Sequence, residues 1–215
     1  ELLSAMRECF PQAKIRIYYG STEVGTATAL ADKDVIRKPG SVGIAAVNVD
    51  VRLAADGEIC VRSPYLMEEY FDDPEATAAA FDEGWFRTGD IGALDDEGYY
   101  SIVGRKKEIL RTGGESVSPN EVEAVLRDAP GVAEVAIVGL PDPDWGEVLC
   151  AAVVPESGAE VTLAALQACC EGRLAGFKKP RRIAILEALP RTAATSQVQR
   201  TMLVEQIQTR GLARE

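Results

Sequence analysis

Two apolar runs of similar length, EVAIVGLP (134–141) and VLCAAVVP (148–155), leave little choice about the carboxyl half of this chain. Runs this short, bounded by turn residues, read as strands. The segments around them fall into a fixed order. KKEILRTGGE predicts a hairpin, and SPNEVEAVLRDAP predicts a helix opened by Ser118 with Glu121 in capping-box spacing. TLAALQACCEGRLAG predicts a second helix, RRIAILEALP a further strand, and a last helix starts near Val198. A β-α-β-β-α-β order spread over roughly a hundred residues is that of a small α+β domain.

The amino-terminal half has a different texture. Leu2 to Phe10 has helical apolar spacing and stops at Pro11, and KIRIYYG then alternates as a strand into the polar turn STEVG. SVGIAAVNVDVRL and EICVRS flank an Ala-Asp-Gly turn at 55–57, which predicts a hairpin. Pro74 opens a short helix running to Phe81. GWFRTGD precedes a strand, and an Asp-Glu-Gly turn at 96–98 leads into the strand YYSIVG. This half starts abruptly on a helix and has no evident compact closure, so it reads as the tail of a larger domain. The predicted division is 1–104 and 105–215.

Composition narrows the chemistry. The net charge of −11 repels a phosphate backbone, so nucleic acid is not an expected partner. No apolar run is long enough to span a membrane, and ELLSAMRECF lacks signal-peptide architecture. The five cysteines are scattered without CxxC spacing, which predicts buried free thiols in a reducing, cytoplasmic setting. There is no histidine, which removes Ser-His-Asp and Cys-His nucleophiles and histidine metal ligands.

Several stretches carry chemistry. YYGSTEVG puts aromatic, hydroxyl and carboxylate groups into one turn, although such a turn can equally just end a strand. WFRTGD places Asp90 in a glycine turn, either as an acceptor for ribose hydroxyls or as an Asx-type turn. Taken with GEICVRSPYLMEEYFDDPEAT, GWFRTGDIGALDDEGYYSIVGRKKEILRTGGESVSPNEVEAVL and PDPDWGEVLCAAVV, the chain resembles the acyl-adenylate-forming superfamily, in particular acyl-CoA synthetases. The resemblance covers nearly the whole chain, but the phosphate loop that lies upstream in such enzymes is not here. It implies that 1–104 is the end of a large β-rich adenylate-binding domain and 105–215 a small mobile α+β domain, with the upstream portion of the same protein as a partner.

The roles that the resemblance implies are specific. Tyr19 would stack on adenine, Thr22 would bond the α-phosphate and Glu23 would help bind Mg²⁺. Asp90 and Arg105 would hold the ribose, and Lys107 would be the hinge. Gly113 and Gly114 would line the pantetheine tunnel, where a Cβ would obstruct a narrow arm; a hairpin turn needing positive φ explains the same pair. Trp145 would pack on the pantetheine or nucleotide end of CoA, or else be a core tryptophan. FKKPRR, with Phe177, Lys179 and Arg181, would receive the phosphates and adenine of CoA.

One group is missing. In the resembling enzymes a Gly-Lys pair follows Pro-Arg-Thr-Ala, and the lysine sits against the carboxylate and α-phosphate during adenylation. Here PRTAATSQVQR puts Ser196 in that place counted from Pro190, or Gln197 counted back from Val198. Loss of one preorganised electrostatic donor costs on the order of 10²–10³ in rate. The expectation is an enzyme that forms acyl-CoA from an acyl-adenylate and CoA, fed by a companion adenylating enzyme. The alternatives are a fully competent ATP-dependent ligase in which Arg191 or Arg200 substitutes, a silent adenylate-binding or scaffold module, and an adenylation domain serving a carrier protein.

Overall fold

The computed structural model describes residues 2–193 and 196–214. The chain divides into two compact units, Glu1–Lys107 and Glu108–Glu215. The division falls beyond the 104/105 boundary read from the sequence. Arg105 is still laddered to Asp90, and Lys106 is still ion-paired to Asp56 and Glu58, so both belong with the first unit.

In the first unit α1 (Leu2–Cys9) precedes β1 (Ile17–Ser21), β2 (Gly25–Leu30), β3 (Ser41–Ala45), β4 (Asp50–Leu53) and β5 (Glu58–Arg62). Then come α2 (Pro74–Ala80), β6 (Phe81–Asp82), β7 (Trp85–Leu94) and β8 (Tyr100–Arg105). The strands form one sheet in the order β1-β2-β3-β8-β7-β5-β4, with β6 added to β7. Turn chemistry explains the hairpins. Asp56 Oδ1 accepts the Glu58 amide at 3.2 Å between β4 and β5, and Asp95 Oδ1 accepts the Glu97 and Tyr99 amides at 2.9 Å between β7 and β8. The β1–β2 hairpin depends on Gly20, where a Cβ would lie 1.8 Å from the Gly25 carbonyl oxygen. Helix α2 is capped by Asp73, which accepts the Ala76 amide at 2.9 Å, with Pro74 in the first turn. Val24, Ala27, Ile59, Val61 and Phe86 form the core beneath this sheet.

In the second unit β9 (Leu110–Thr112) and β10 (Glu115–Val117) form the predicted hairpin, followed by α3 (Pro119–Leu126), β11 (Val132–Asp142), β12 (Gly146–Pro155), α4 (Leu163–Cys170), β13 (Arg182–Ile185) and α5 (Arg200–Arg210). The sheet runs β10-β9-β12-β11, with β13 parallel to β12. Both sheet faces are covered. Val135, Ile137, Leu149, Ala151 and Val153 pack with Val122 and Leu126 of α3 and Leu166 of α4. Ala136, Val138, Cys150 and Ala152 pack with Leu203 and Ile207 of α5. Burial on both sides is why the two runs read as continuous apolar stretches rather than as alternation.

Three sequence expectations change. Ser118 takes the N-cap position of α3 with no side-chain capping hydrogen bond, and Glu121 pairs instead with Lys178, 2.6 Å away. Cys9 is exposed, whereas Cys60, Cys150 and Cys170 are buried thiols. WFRTGD is part of strand β7 rather than a turn ahead of it. Among the described residues no helix is long and apolar enough to cross a membrane.

Candidate functional site

The first unit gathers its candidate residues around one carboxylate. Asp90, 8% exposed, lies in β7 directly across from Arg105 in β8. Its Oδ1 is 3.1 Å from the Arg105 guanidinium, and its Oδ2 accepts the Tyr19 hydroxyl at 2.7 Å. Burial, reinforced by Asp90 against the opposing effect of Thr88, pushes the Tyr19 phenol well above its ordinary value, so it remains a donor. Thr88 helps to hold Asp90 in place: its hydroxyl donates to the Ile59 carbonyl of the neighbouring strand β5 at 2.8 Å and accepts the Asp90 amide at 3.2 Å.

Glu23 sits at the tip of the β1–β2 hairpin beside exposed Thr22. Tyr70 donates to Glu23 at 3.0 Å. Hydrogen bonds from Ser21, its own backbone amide and Tyr70 hold the Glu23 carboxyl below its usual range. Among the described residues no cluster of three or more carboxylate or thiol ligands exists. An ionised single carboxylate nevertheless fits Mg²⁺, which is usually held by one or two carboxylates and completed by substrate phosphates. A cavity of about 400 Å³ opens here, lined by Ser21, Glu23, Tyr70, Thr88, Gly89 and Arg105 among others.

Sequence reasoning missed the charged floor of that cavity. Glu58 is 3% exposed. Its Oε1 accepts the Gly89 amide at 2.9 Å, and its Oε2 accepts Arg87 Nε at 2.9 Å and Lys106 Nζ at 2.8 Å. Asp56 takes a second bond from Lys106 at 2.7 Å. Glu58 therefore fixes the residue before Asp90 and the residue after Arg105 together. The available signal was a glutamate opening the otherwise apolar strand EICV directly after an Asp-Gly turn. Lys107 is exposed in the short turn that ends the unit.

In the second unit Gly113 and Gly114 form the β9–β10 turn with φ of +58° and +86°. Trp145 is not a core residue. It is 38% exposed at the tip of the β11–β12 hairpin, and Arg181 lies over its ring with the guanidinium carbon 3.9 Å from the centroid. Of the basic segment, Phe177 packs on the core, Lys178 pairs with Glu121 and Lys179 pairs with Glu171 at 2.5 Å. Arg181 and Arg182 instead line a cavity of about 350 Å³ with Trp145, Gln167, Asp142 and Asp144. Lys178 and Lys179 are thus already matched by carboxylates.

The loop at 190–200 closes on itself. Arg191 and Val198 form a bridge, the Thr192 amide donates to the Gln197 carbonyl at 2.9 Å, and Ser196 adopts φ +55°. Ala194 and Thr195, which belong to the same motif, lie outside the described residues. Arg191 pairs with Glu134 and donates to the Ser196 carbonyl at 2.7 Å. Arg200 reaches Glu123 at 2.7 Å, Glu108 at 3.1 Å and the Ile137 carbonyl at 2.9 Å, while Glu123 accepts the Ile137 amide at 2.8 Å. Glu123 and Arg200 together satisfy Ile137 on the outer strand β11.

The model of the AMP-binding enzyme family matches residues 1–71, and that of the AMP-binding enzyme C-terminal domain matches 121–195. The chain belongs to the AMP-binding enzyme family. A long-chain-fatty-acid–CoA ligase, FadD13, of Mycobacterium tuberculosis is 43% identical over 91% of the chain and 42% of its own length. The indoleacetate–CoA ligase of Aromatoleum aromaticum is 44% identical over 81% of the chain and 36% of the relative. Among solved structures, the o-succinylbenzoate CoA synthetase of Bacillus subtilis bound to its acyl-adenylate intermediate matches with a TM-score of 0.83. It is 34% identical over 94% of the chain and 43% of that protein. The chain thus spans about two-fifths of the length of these relatives.

Proposed function

We propose that the full-length protein is an acyl-CoA ligase that carries out thiol transfer and in which the adenylation step is weak or lost. The loop conformation is the observation that carries this reading. Ser196 stands at left-handed φ, the region that glycine tolerates best, so it takes the place of the glycine in the Gly-Lys pair and Gln197 the place of the lysine. Both candidate substitutes already carry carboxylate partners: Arg191 pairs with Glu134 at the surface, and Arg200 pairs with Glu123 and Glu108. Lys107, Gly113 and Gly114, to which this reading gives the second half-reaction, are present in the chain.

In this reading the cavity of the first unit holds the adenylate. Asp90 accepts from the ribose hydroxyls while Tyr19 and Arg105 hold its carboxylate in position, Tyr19 lays its ring against adenine, and Thr22 donates to the α-phosphate. Glu23 would hold Mg²⁺, which supplies charge neutralisation at the phosphates when ATP is bound. Lys107 is the pivot between the two units. The CoA thiol attacks the acyl carbonyl, AMP departs with its bonding pair, and the thiol proton passes to solvent. The protein contributes alignment, worth several kcal/mol in favourable cases. Arg181 and Arg182, which line the second unit's cavity with Trp145, receive the nucleotide end of CoA, while Lys179 is held by Glu171 and Phe177 by the core; this favours free CoA over a carrier arm because CoA brings an additional phosphate. The substrate is then a carboxylic acid adenylate supplied by a companion adenylating enzyme, and free thiols fit the cytoplasm.

The test supplies the full-length protein with synthetic acyl-adenylate plus CoA, and in parallel with acid, ATP and CoA, and reads acyl-CoA by mass. Product from the adenylate alone is expected. Equal product from both mixtures refutes the loss of adenylation, and product from neither points to a silent module.

A further inference from the structure

Trp145 carries more than a face for a ligand. Its backbone carbonyl accepts the Gly113 amide at 3.0 Å, and the adjacent Gly146 pairs with Thr112, so the tip of the β11–β12 hairpin is tied to the β9–β10 turn. The ring completes that contact. A Cβ placed on Gly113 would lie 2.7 and 2.8 Å from ring carbons Cε3 and Cζ3, so the Gly113 backbone rests directly against the edge of the indole. Arg181 is stacked over the ring and holds it from the side of the basic segment. The Trp145 amide is fixed in turn by Asp142 Oδ1 at 3.1 Å, which sets the hairpin tip itself. Gly113 and Gly114 have no side chains with which to hold their own position, and both stand at positive φ. The β9–β10 ladder fixes the ends of this turn, and the Trp145 contact adds a hold from outside the hairpin.

We propose that Trp145 is a positioning residue: its ring, pinned by Arg181, braces the Gly113–Gly114 turn and so sets the wall past which the thiol arm runs. The inference rests on the reading above that this turn meets the pantetheine arm, and it assigns Trp145 an action different from stacking on the nucleotide. A brace acts on every thiol substrate that passes the turn, whereas a nucleotide contact acts only on a thiol that carries a nucleotide. Pantetheine, which lacks the nucleotide, separates the brace from a nucleotide contact, and hydrogen exchange across the turn in the absence of any thiol separates it from a direct contact with the pantetheine arm.

Full-length wild type, Trp145→Ala and Trp145→Phe are assayed with acyl-adenylate and either CoA or pantetheine. Amide hydrogen exchange over residues 110–117 is followed in the same proteins. Misplacement of a reacting group by about an ångström costs on the order of 10²-fold. Trp145→Ala is therefore expected to lose a similar factor, up to about 10²-fold, with both thiols, to speed exchange across the turn, and to be rescued in part by Trp145→Phe. A loss with CoA that leaves pantetheine unchanged overturns the brace, and so does a loss with both thiols that leaves exchange at 110–117 unchanged. If wild type turns over neither thiol, the ligase reading fails, and exchange alone decides: faster exchange at 110–117 in Trp145→Ala upholds the brace, and unchanged exchange overturns it.

Discussion

Restoring the pair Ser196→Gly and Gln197→Lys should switch adenylation on. Ser196 holds φ +55° in a loop closed by the Arg191–Val198 bridge and by the Thr192–Gln197 hydrogen bond. A left-handed conformation costs an L-residue roughly 1–2 kcal/mol, so glycine at 196 relieves strain and leaves the loop geometry in place. Lysine at 197 then supplies the charge at an exposed position with room for a long side chain. A single electrostatic donor is worth on the order of 10²–10³ in rate, and a rise of at least about 10² in acid-dependent ATP–pyrophosphate exchange is expected. Thiolysis of preformed acyl-adenylate should stay within about twofold, because the charge acts on the bond formed in the first step. Arg191→Ala in the wild-type background provides the control. If wild type already exchanges pyrophosphate as fast as the double variant, and Arg191→Ala abolishes that exchange, Arg191 is the working cation and the argument from its Glu134 contact is wrong.

Further outcomes follow from the packing and the charges. Glu58→Gln keeps an acceptor for the Gly89 amide but removes the charge facing Arg87 and Lys106. It should cost about 3 kcal/mol in chemical denaturation, the low end for a broken buried pair, because those cations are 25% and 45% exposed. Burial alone would raise the Glu58 carboxyl, but Lys106, Arg87 and the Gly89 amide outweigh it and hold it low. Its stabilisation is therefore complete above the ordinary carboxylate range and is lost as pH falls through the lowered folded value, so the Gln variant should flatten the acid limb of Tm against pH. Cys150 is pushed up to about 12 by burial, and iodoacetamide followed by mass mapping should label exposed Cys9 while sparing Cys150 until the protein unfolds. Leu203→Ala removes a fully buried contact between α5 and β11–β12 and should cost about 2–5 kcal/mol by urea titration.

Periodicity and turn residues carried the local structure of this chain. Asp-Gly at 56–57, Asp-Glu-Gly at 96–98 and Gly-Gly at 113–114 each mark a hairpin, because the chain reverses there through conformations that few other residues accept. The two apolar runs marked the central strands of the second unit for the same kind of reason: a strand covered on both faces must be apolar at every position. The absence of histidine and of the loop cation could be read directly from the letters.

Tertiary structure decided what those letters are paired with. Asp90 and Arg105 stand opposite one another only because β7 and β8 are in register, which makes WFRTGD a strand. Glu58 became visible as the common anchor of Gly89 and Lys106 through contacts that span 31 and 48 residues. Trp145 moved from core candidate to brace because Gly113 and Arg181 converge on it from distant segments. Arg191 and Arg200, equal to any other arginine in the sequence, proved to be paired with carboxylates 57 and 77 residues away. Local conformational preference depends on a few neighbouring residues and survives in sequence patterns, whereas charge pairing and close contact depend on which distant segments the fold brings within a few ångströms.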